Sequence, residues 1–395
     1  MKICVINPGI HHARIRAEAL AEHFDEVHCI DTALTSGRTH LSLPGLFVYT
    51  DLARPMRAKG IKLKRLIDSI KPDGIVCHFA SGYHYFDQVF WGEHPLATVA
   101  MGHDVLPEVS RPPVHPCYTA LQRLAWNNSD FISAKSKTLF KHLRKAGITT
   151  PMQTNYWGLD LETFSPGDQM TARKALGLST TEVLILSPRK MIRRCNIDII
   201  IDAFAQVRKK FPHTRLLLLG GADQNYFNSL KKQIHTLGLE NAVSLIEKVP
   251  QELLARYLQA SDLVISLASS DGFSSTILET LACQRPLIAG ETEQTLELLQ
   301  HKVNALTCQL NASSLSEVMI EALEDHRLTK KIAANGRQTA LEEGDLRKNA
   351  KKFAVQFSDI ITCCRKKKPA RTCLTKSWFR LVYAPYFLVN QMRKC

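Results

Sequence analysis

The sequence has 395 residues, of which 45% are hydrophobic and 22% charged, with a formal net charge of +14. This composition is typical of a globular protein, and the length favours two domains because a single hydrophobic core rarely grows so large. The basic excess indicates an anionic partner, and the absence of a long apolar run excludes a membrane-spanning helix.

The cysteines and the first residues bear on the compartment. Eleven cysteines are scattered along the chain without zinc-site spacing, which favours reduced, buried thiols over a disulfide framework. No signal peptide is apparent, because the first apolar run is strand-length and ends at a Pro-Gly turn. We therefore expect a cytoplasmic protein, either soluble or peripheral on the cytoplasmic face of a membrane.

The N-terminal half is predicted to alternate strands with helices. A strand over 3–6 is followed by a turn that contains Gly9, and then by a helix over 13–24. This strand–turn–helix unit is typical of a doubly wound α/β domain. The further predicted strands are 26–30, 74–78, 96–101 and 131–136. A G-x-G-x-x-G motif is absent, which disfavours a dehydrogenase-type dinucleotide site.

His103 follows the strand predicted over 96–101. Ligands in open α/β sheets bind beyond the carboxyl ends of the strands, so His103 is well placed to contact a ligand. A purely structural histidine is the alternative.

The C-terminal half begins a second series of alternating elements. Strands are predicted over 183–186, 215–219, 242–246, 263–267 and 286–290, and helices over 197–210, 225–237 and 276–283. The loop after the first of these strands contains four basic residues, Arg189, Lys190, Arg193 and Arg194. Such a loop suits a diphosphate, and the alternative is an ordinary solvated loop.

The segment 269–283 has two carboxylates, Asp271 and Glu279, eight residues apart. Asp271 is predicted to lie in a loop after a buried strand, and Glu279 about one turn inside a helix. The helix start, Ser274–Thr276, offers free backbone N–H groups, which together with the helix dipole favour phosphate. A nucleotide-sugar suits this arrangement, with one carboxylate on sugar hydroxyls and the other on a ribose. A helix-capping Asp with a solvated Glu is the alternative.

This segment resembles the E-x-x-x-x-x-x-x-E signature of the family 4 glycosyltransferases, also called glycosyl transferases group 1. Gly272 and Glu279 match, whereas Asp271 replaces the first Glu, Ser274 the second Gly, and Gln284 the Gly before Arg285-Pro286. Residues 156–166 are similar to the family's G-v-D-x-x-x-F-x-P motif. Similarity extends from residue 1 to about residue 353.

The resemblance implies the GT-B fold, in which two Rossmann-like, doubly wound α/β domains face a central cleft. We expect an acceptor-side domain over 1–165 and a nucleotide-sugar domain over 175–355. The tail 356–395 is basic and aromatic, and part of it is expected to be the family's crossover helix. The implied reaction is transfer of a sugar, with retention, from a nucleotide-sugar to a hydroxyl of a glycan or lipid-linked acceptor. Such transfer belongs to the synthesis of a cell-surface polysaccharide such as lipopolysaccharide.

The resemblance also assigns roles to residues. Arg189 or Lys190 is expected to be the first cation that neutralises the leaving diphosphate and Arg194 the second. His103 and Asp271 are expected at the reacting sugar. The expected donor-binding residues are Gly9, Gly272, Phe273, Ser274, Ser275, Thr276, Glu279 and Val249. No metal site is expected, because the chain has no D-x-D motif, and no other cofactor is expected.

The partners that follow are a nucleotide-sugar donor and a glycan or lipid-linked acceptor. Residues 137–145 and 365–395 are basic, and the latter contain nine Lys or Arg and no acid. Both segments suit an anionic membrane surface. The alternatives are a solvated helix face for the first and a crossover helix for the second.

Three other functions remain open from the sequence. A sugar epimerase shares the GT-B architecture, although the motif at 156–166 argues against it. A degraded glycosyltransferase would bind the nucleotide without turnover, as the substitutions at Asp271 and Gln284 allow. Nucleic-acid binding is disfavoured because it rests on charge alone and no recognised module accompanies it.

Overall fold

The computed structural model describes residues 1–7, 11–31, 44–49, 59–79, 94–102, 104–106 and 116–365. The chain forms two compact units. The first consists of Met1–Trp157 together with the segment that begins at Arg347, and the second is Gly158–Leu346.

The first unit is built on a seven-stranded parallel sheet with strand order β3-β2-β1-β4-β5-β6-β7. Its strands are Lys2–Asn7 (β1), Glu26–Asp31 (β2), Leu46–Tyr49 (β3), Gly74–His78 (β4), Leu96–Ala100 (β5), Phe131–Ala134 (β6) and Met152–Thr154 (β7). Strands β4, β5 and β6 are buried at every position, as expected for strands with both faces covered. The order reverses between β1 and β4, which makes this the switch point of the sheet.

The helices described in the first unit pack on this sheet. They are His11–Ala21 (α1), Lys59–Ile70 (α2), Pro116–Asn128 (α3) and Lys137–Lys145 (α4). Their core includes Ile6, Ile75, Leu96, Trp126 and Ile132. Ser136 caps α4, because its side chain accepts a hydrogen bond from the Leu139 amide at 3.2 Å.

The second unit contains a six-stranded parallel sheet with strand order β10-β9-β8-β11-β12-β13. Its strands are Val183–Ser187 (β8), Thr214–Leu219 (β9), Val243–Ile246 (β10), Leu263–Ser266 (β11), Leu287–Gly290 (β12) and Leu306–Cys308 (β13). The order reverses between β8 and β11.

Helices surround the second sheet as well. They are Gln169–Ala175 (α5), Ile197–Lys210 (α6), Gln224–Thr236 (α7), Gln251–Ala260 (α8), Ser275–Ala282 (α9), Ala312–Glu324 (α10) and His326–Glu343 (α11). The core includes Ile185, Phe204, Leu218, Ile265 and Met319, all of them fully buried.

A last helix, Leu346–Arg365 (α12), returns the chain to the first unit. Its Phe353 ring lies 4.9 Å from the Trp157 ring and 6.0 Å from the Phe131 ring. Residue 355, where the sequence analysis ended the second domain, lies inside this helix. Residues 366–395, most of the predicted tail, lie outside the described part of the chain.

Both sheets are wholly parallel and doubly wound, which confirms the predicted α/β class. Six of the eight described cysteines are buried, and no disulfide joins any of these eight. Burial raises the pKa of the Cys4, Cys29, Cys283 and Cys308 thiols to about 12. Within the described ranges, no helix is both long enough and apolar enough to cross a bilayer.

Candidate functional site

The switch point of the second sheet brings two predicted loops together. One loop follows β8 and contains the basic residues, and the other follows β11 and contains Asp271. Neighbouring loops that leave such a point in opposite directions form a crevice at the carboxyl edge of the sheet. The candidate site lies at this edge.

An ion pair joins the two loops. The Nη2 atom of Arg189 donates to Oδ2 of Asp271 at 2.8 Å. The Nη1 atom donates to the Ser274 hydroxyl, so one guanidinium spans the loop and the first residue before α9. Nη2 also approaches the Cys195 sulfur at 3.9 Å. Of the two residues offered by the sequence as the first cation, it is Arg189 that reaches Asp271, whereas Lys190 is exposed.

The Arg189 guanidinium remains charged despite its burial. Its side chain is 11% exposed, whereas that of Asp271 is 34% exposed. Burial alone lowers the pKa of Arg189, but the Asp271 carboxylate outweighs this effect with help from Cys195, and the net pKa lies above the usual value. Its Nε atom is buried and has no hydrogen-bond partner among the residues that the structure describes. The site therefore contains a fixed positive charge with a donor still unused.

Backbone contacts hold the β8 loop in place. Gly220, after β9, has φ +151°, and a Cβ there would lie 2.9 Å from the Arg189 carbonyl oxygen. The Met191 amide donates to the Gly221 carbonyl at 2.9 Å. Asn196 adopts a left-handed conformation with φ +51°, and its side-chain amide donates to the Leu267 carbonyl at 2.8 Å. These contacts fix Arg189 against the β11 loop.

The start of α9 presents amide groups beside Arg189. Ser274 is the N-cap residue, but its side chain makes no capping hydrogen bond to the helix. The first amides of α9 are therefore not capped by Ser274, and the helix dipole is directed at the same place. Phe273, fully buried, has φ +152°, a region that residues with side chains rarely adopt. Such strain is found mainly where function requires it.

The remaining predicted residues of the second unit occupy defined positions. Glu279 lies in the second turn of α9 and is 4% exposed. Val249, half-buried, follows β10 at the same carboxyl edge. Arg194 is half-buried, and its carbonyl accepts from the Ser269 amide at 2.9 Å, which ties it to the β11 loop. The guanidinium of Arg193 instead lies over the Tyr226 ring, 5.7 Å from its centroid.

Two predicted residues, Gly9 and His103, lie outside the described residues. The neighbours of His103 are described. Oδ1 of Asp104 accepts from the amides of Met101 at 3.0 Å and Gly102 at 2.9 Å, which fixes the turn after β5.

The sequence analysis did not identify Cys195 or Gly220 as parts of this site. Gly220 had a usable signal, since a Gly-Gly pair directly after a buried strand indicates close approach of another backbone segment. Cys195 had none, because its contact with Arg189 depends on the path of the loop.

The family model for glycosyl transferases group 1 matches residues 168–339. This segment contains Arg189, Asp271 and Glu279. The second unit is thus similar to the group 1 glycosyltransferases. The match covers most of the second unit, which is where the paired loops lie.

Curated relatives are glycosyltransferases of several specificities. The chain is 22% identical over 250 residues to N-acetyl-alpha-D-glucosaminyl L-malate synthase of Bacillus anthracis, covering 62% of this chain and 64% of the relative. It is 27% identical over 210 residues to D-inositol 3-phosphate glycosyltransferase of Segniliparus rotundus, covering 52% of this chain and 44% of the relative. It is also 28% identical over 166 residues to alpha-monoglucosyldiacylglycerol synthase of Streptococcus pneumoniae, covering 40% of this chain and 37% of the relative. The chain thus aligns with less than two thirds of the length of each.

Solved structures share the fold over nearly the whole chain. Anabaena Alr3699/HepE in complex with UDP and glucose superimposes with a TM-score of 0.77 at 22% identity, covering 91% of this chain and all of that one. Sucrose-phosphate synthase from Thermosynechococcus elongatus superimposes with a TM-score of 0.80 at 17% identity, covering 92% and 100%. These similarities confirm the GT-B fold.

Proposed function

We propose that this protein transfers a sugar, with retention, from a nucleotide-sugar to a hydroxyl of a glycan or lipid-linked acceptor. The observation that carries the proposal lies at the switch point of the second sheet, beside the start of α9. There the Arg189 guanidinium donates to both Asp271 and Ser274. A fixed guanidinium and helix-start amides together suit a diphosphate. UDP is the first candidate nucleotide, because the similar Anabaena structures contain UDP or UDP-glucose.

Each group has a role in the proposed reaction. When the sugar–phosphate bond breaks, negative charge develops on the diphosphate. Arg189, Lys190, Arg194 and the amides of Ser275 and Thr276 stabilise that charge as groups already in place, which is more effective than solvent that must reorganise. Such stabilisation needs no metal ion. The leaving phosphate oxygen takes the acceptor proton as the acceptor attacks the same face of the sugar.

The remaining residues bind and orient the donor. Glu279, buried one turn inside α9, binds the ribose hydroxyls, and Val249 lines the base. Asp271, with Gly272 and Phe273, faces the sugar. His103 is proposed to contact the reacting sugar and Gly9 to bind the donor, both from the sequence alone.

Calorimetric titration tests the donor site. We expect one of UDP-glucose, UDP-N-acetylglucosamine and GDP-mannose to bind saturably in the presence of EDTA. Glu279→Gln should weaken that binding by about 10- to 100-fold, because it replaces a charged acceptor of hydroxyl hydrogen bonds with a neutral one. Glu317→Gln, an exposed change on α10, is the matched control and should bind as wild type does. Absence of binding by all three nucleotide-sugars would overturn the donor-site proposal.

A binding protein without turnover is the second candidate. It is favoured by Asp271, which is one methylene shorter than the family's Glu and is engaged by Arg189. Release of UDP from the bound donor separates the two functions. Steady release that depends on an added acceptor supports the transferase, whereas tight binding without release supports the binding protein.

Peripheral attachment to an anionic membrane is proposed for α4 and the segment 365–395. Lys137, Lys141, Arg144 and Lys145 are exposed on α4, while Leu139 and Leu143 are buried beneath them. Co-sedimentation with phosphatidylglycerol vesicles, compared with phosphatidylcholine vesicles, tests this. Charge reversal at Lys141, Arg144 and Lys145 should reduce binding, and truncation after residue 365 should reduce it further. Reversal at Lys231 and Lys232, on the second unit, is the control.

A further inference from the structure

Three buried polar side chains meet at the switch point of the first sheet. Arg16 lies on α1, which follows β1, and His78 is the last residue of β4. Trp157 contacts both, with its ring 6.0 Å from the His78 ring and 5.1 Å from the Arg16 Cζ atom. The carboxyl ends of β1 and β4 flank the place where the strand order reverses, where open α/β sheets bind ligands.

Arg16 is a buried cation that forms no ion pair with a carboxylate of the described residues. It is 4% exposed, and within the described ranges its guanidinium makes one hydrogen bond, from Nη1 to the Met101 sulfur at 3.0 Å. A thioether is a weak acceptor, and a guanidinium has five N–H donors. Burial lowers the pKa of Arg16 to about 9. Two residues earlier, Arg14 shows the ordinary arrangement, since its Nε donates to Asp31 at 2.9 Å.

His78 and Trp157 also have unused donors. His78 is completely buried, and neither ring nitrogen has a hydrogen-bond partner among the described residues. Burial, together with the Arg16 charge, holds the pKa of His78 well below its usual value, so the ring is neutral with one N–H. The Trp157 ring is completely buried too, and its Nε1–H has no hydrogen-bond partner in the part of the chain that the structure describes. Trp157 has φ +62°, a backbone conformation that residues with a side chain rarely adopt and that is found mainly at functional sites.

Buried donors without acceptors are rare because each destabilises the folded state. Here an indole with an unused N–H contacts both a guanidinium and an imidazole with unused N–H groups. A carboxylate or phosphate oxygen accepts from all three donor types, and a guanidinium binds such groups through two parallel hydrogen bonds. An uncharged ligand would leave the Arg16 charge without compensation.

We propose that Arg16, His78 and Trp157 form a subsite for an oxyanion, a phosphate or carboxylate, carried by the acceptor. The inference rests on the proposed function, because it assumes that the first unit binds the acceptor. It adds that the acceptor is anionic, which the donor site does not determine.

The test follows the Cε1–H resonance of His78 by NMR in the full chain. The resonance is assigned by its loss in His78→Phe, a variant that keeps an aromatic ring against Trp157. Inorganic phosphate and acetate are titrated separately, at ionic strength held constant with NaCl and with excess UDP present throughout. Whether UDP itself binds is measured by calorimetry. A saturable shift with one of them is expected, and the responding anion distinguishes phosphate from carboxylate.

Two variants of α1 complete the test. Arg16→Met should weaken binding of the responding anion by about tenfold or more, because a charge-assisted pair of hydrogen bonds is lost. Arg14→Met removes the same charge from the same helix and should leave the anion affinity unchanged. If Arg16→Met does not fold, the wild-type titration still shows whether His78 responds to either anion.

The outcomes separate this proposal from the donor site. UDP binding with no response of His78 to either anion overturns the anion subsite and leaves the donor site intact. A saturable response without UDP binding supports the subsite and overturns the UDP donor proposal. An equal loss of affinity in Arg14→Met and Arg16→Met would indicate a general charge effect and also overturn the subsite.

Discussion

Arg189 and Asp271 are 82 residues apart in sequence, and their side chains form a hydrogen-bonded ion pair at 2.8 Å. Before a donor binds, the cation proposed for the diphosphate is therefore already engaged by the carboxylate proposed for the sugar. A diphosphate at this site competes with Asp271 for the same guanidinium. Asp271 both orients Arg189 and opposes the negative charge of the nucleotide.

We predict opposite effects of the two single substitutions on UDP binding. Asp271→Asn should strengthen UDP binding by about three- to tenfold. Removing a nearby like charge in a partly exposed site improves the binding free energy by about 1 kcal/mol. Arg189→Met should weaken UDP by at least about tenfold through loss of charge-assisted hydrogen bonds. Calorimetry with UDP measures both. Equally weak binding in the two variants would show that the pair acts only as a structural unit.

Gly158 and Gly177 give a matched pair of substitutions. Both have positive φ, +80° and +64°, but a Cβ on Gly158 would lie 2.1 Å from the Gly344 carbonyl oxygen, whereas Gly177 faces open space. Gly177→Ala should destabilise by about 1 kcal/mol from backbone conformation alone. Gly158→Ala should destabilise by about 3 kcal/mol or more, because the backbone must also move. Urea unfolding followed by circular dichroism compares them, and equal midpoints would contradict the steric argument.

Replacement of Gln284 by glycine is predicted to stabilise the fold. Gln284 follows the end of α9 with φ +55°, the position of the signature's glycine. Gln284→Gly should stabilise the fold by about 0.5–1 kcal/mol, since glycine adopts this conformation without the steric penalty of a side chain. Gln338→Gly, in the exposed interior of α11, should have the opposite sign, with a loss of about 1 kcal/mol. A rise in the thermal midpoint of the first variant and a fall in the second would bear this out.

His78 should make the stability of the first unit depend on pH. Its folded pKa lies well below the unfolded value of 6.5, because burial and the nearby Arg16 disfavour the imidazolium. Below about pH 6.5 the unfolded chain therefore binds more protons than the folded chain, and the free energy of unfolding falls as the pH falls. The slope from one such group is at most about 1.4 kcal/mol per pH unit. Stability from this group is fully present above pH 6.5.

Urea unfolding from pH 8 to pH 5, followed by tryptophan fluorescence, measures this slope. Trp126 and Trp157 are buried in the first unit and report on it. Below pH 6.5 the free energy of unfolding of His78→Phe should depend less on pH than that of wild type. Near pH 8 the difference between the two free energies should be constant. His28, whose pKa burial also lowers, retains its own contribution in both proteins. Parallel curves over the whole range would exclude His78 as the source.

Much of the architecture could be predicted because it is encoded locally. The buried strands β1 and β11 correspond to short apolar runs at 3–6 and 263–267, and the helices that follow show apolar residues at helical spacing. The segment around Asp271 and Glu279 was identified for the same reason, since loop, helix start and both carboxylates lie within fifteen residues of sequence. The α/β class and the second sheet's candidate loops followed from these local patterns.

Contacts between distant segments could not be predicted in this way. The sequence offered both Arg189 and Lys190 as the first cation, and only the path of the loop after β8, fixed by Gly220 and Asn196, turns Arg189 inward. The cluster of Arg16, His78 and Trp157 had no sequence signal, because its members come from three segments of the first unit. Local periodicity thus determined which elements form and where the loops lie. The tertiary structure alone decided which polar side chains meet, because that depends on strand order and on backbone conformation at a few residues.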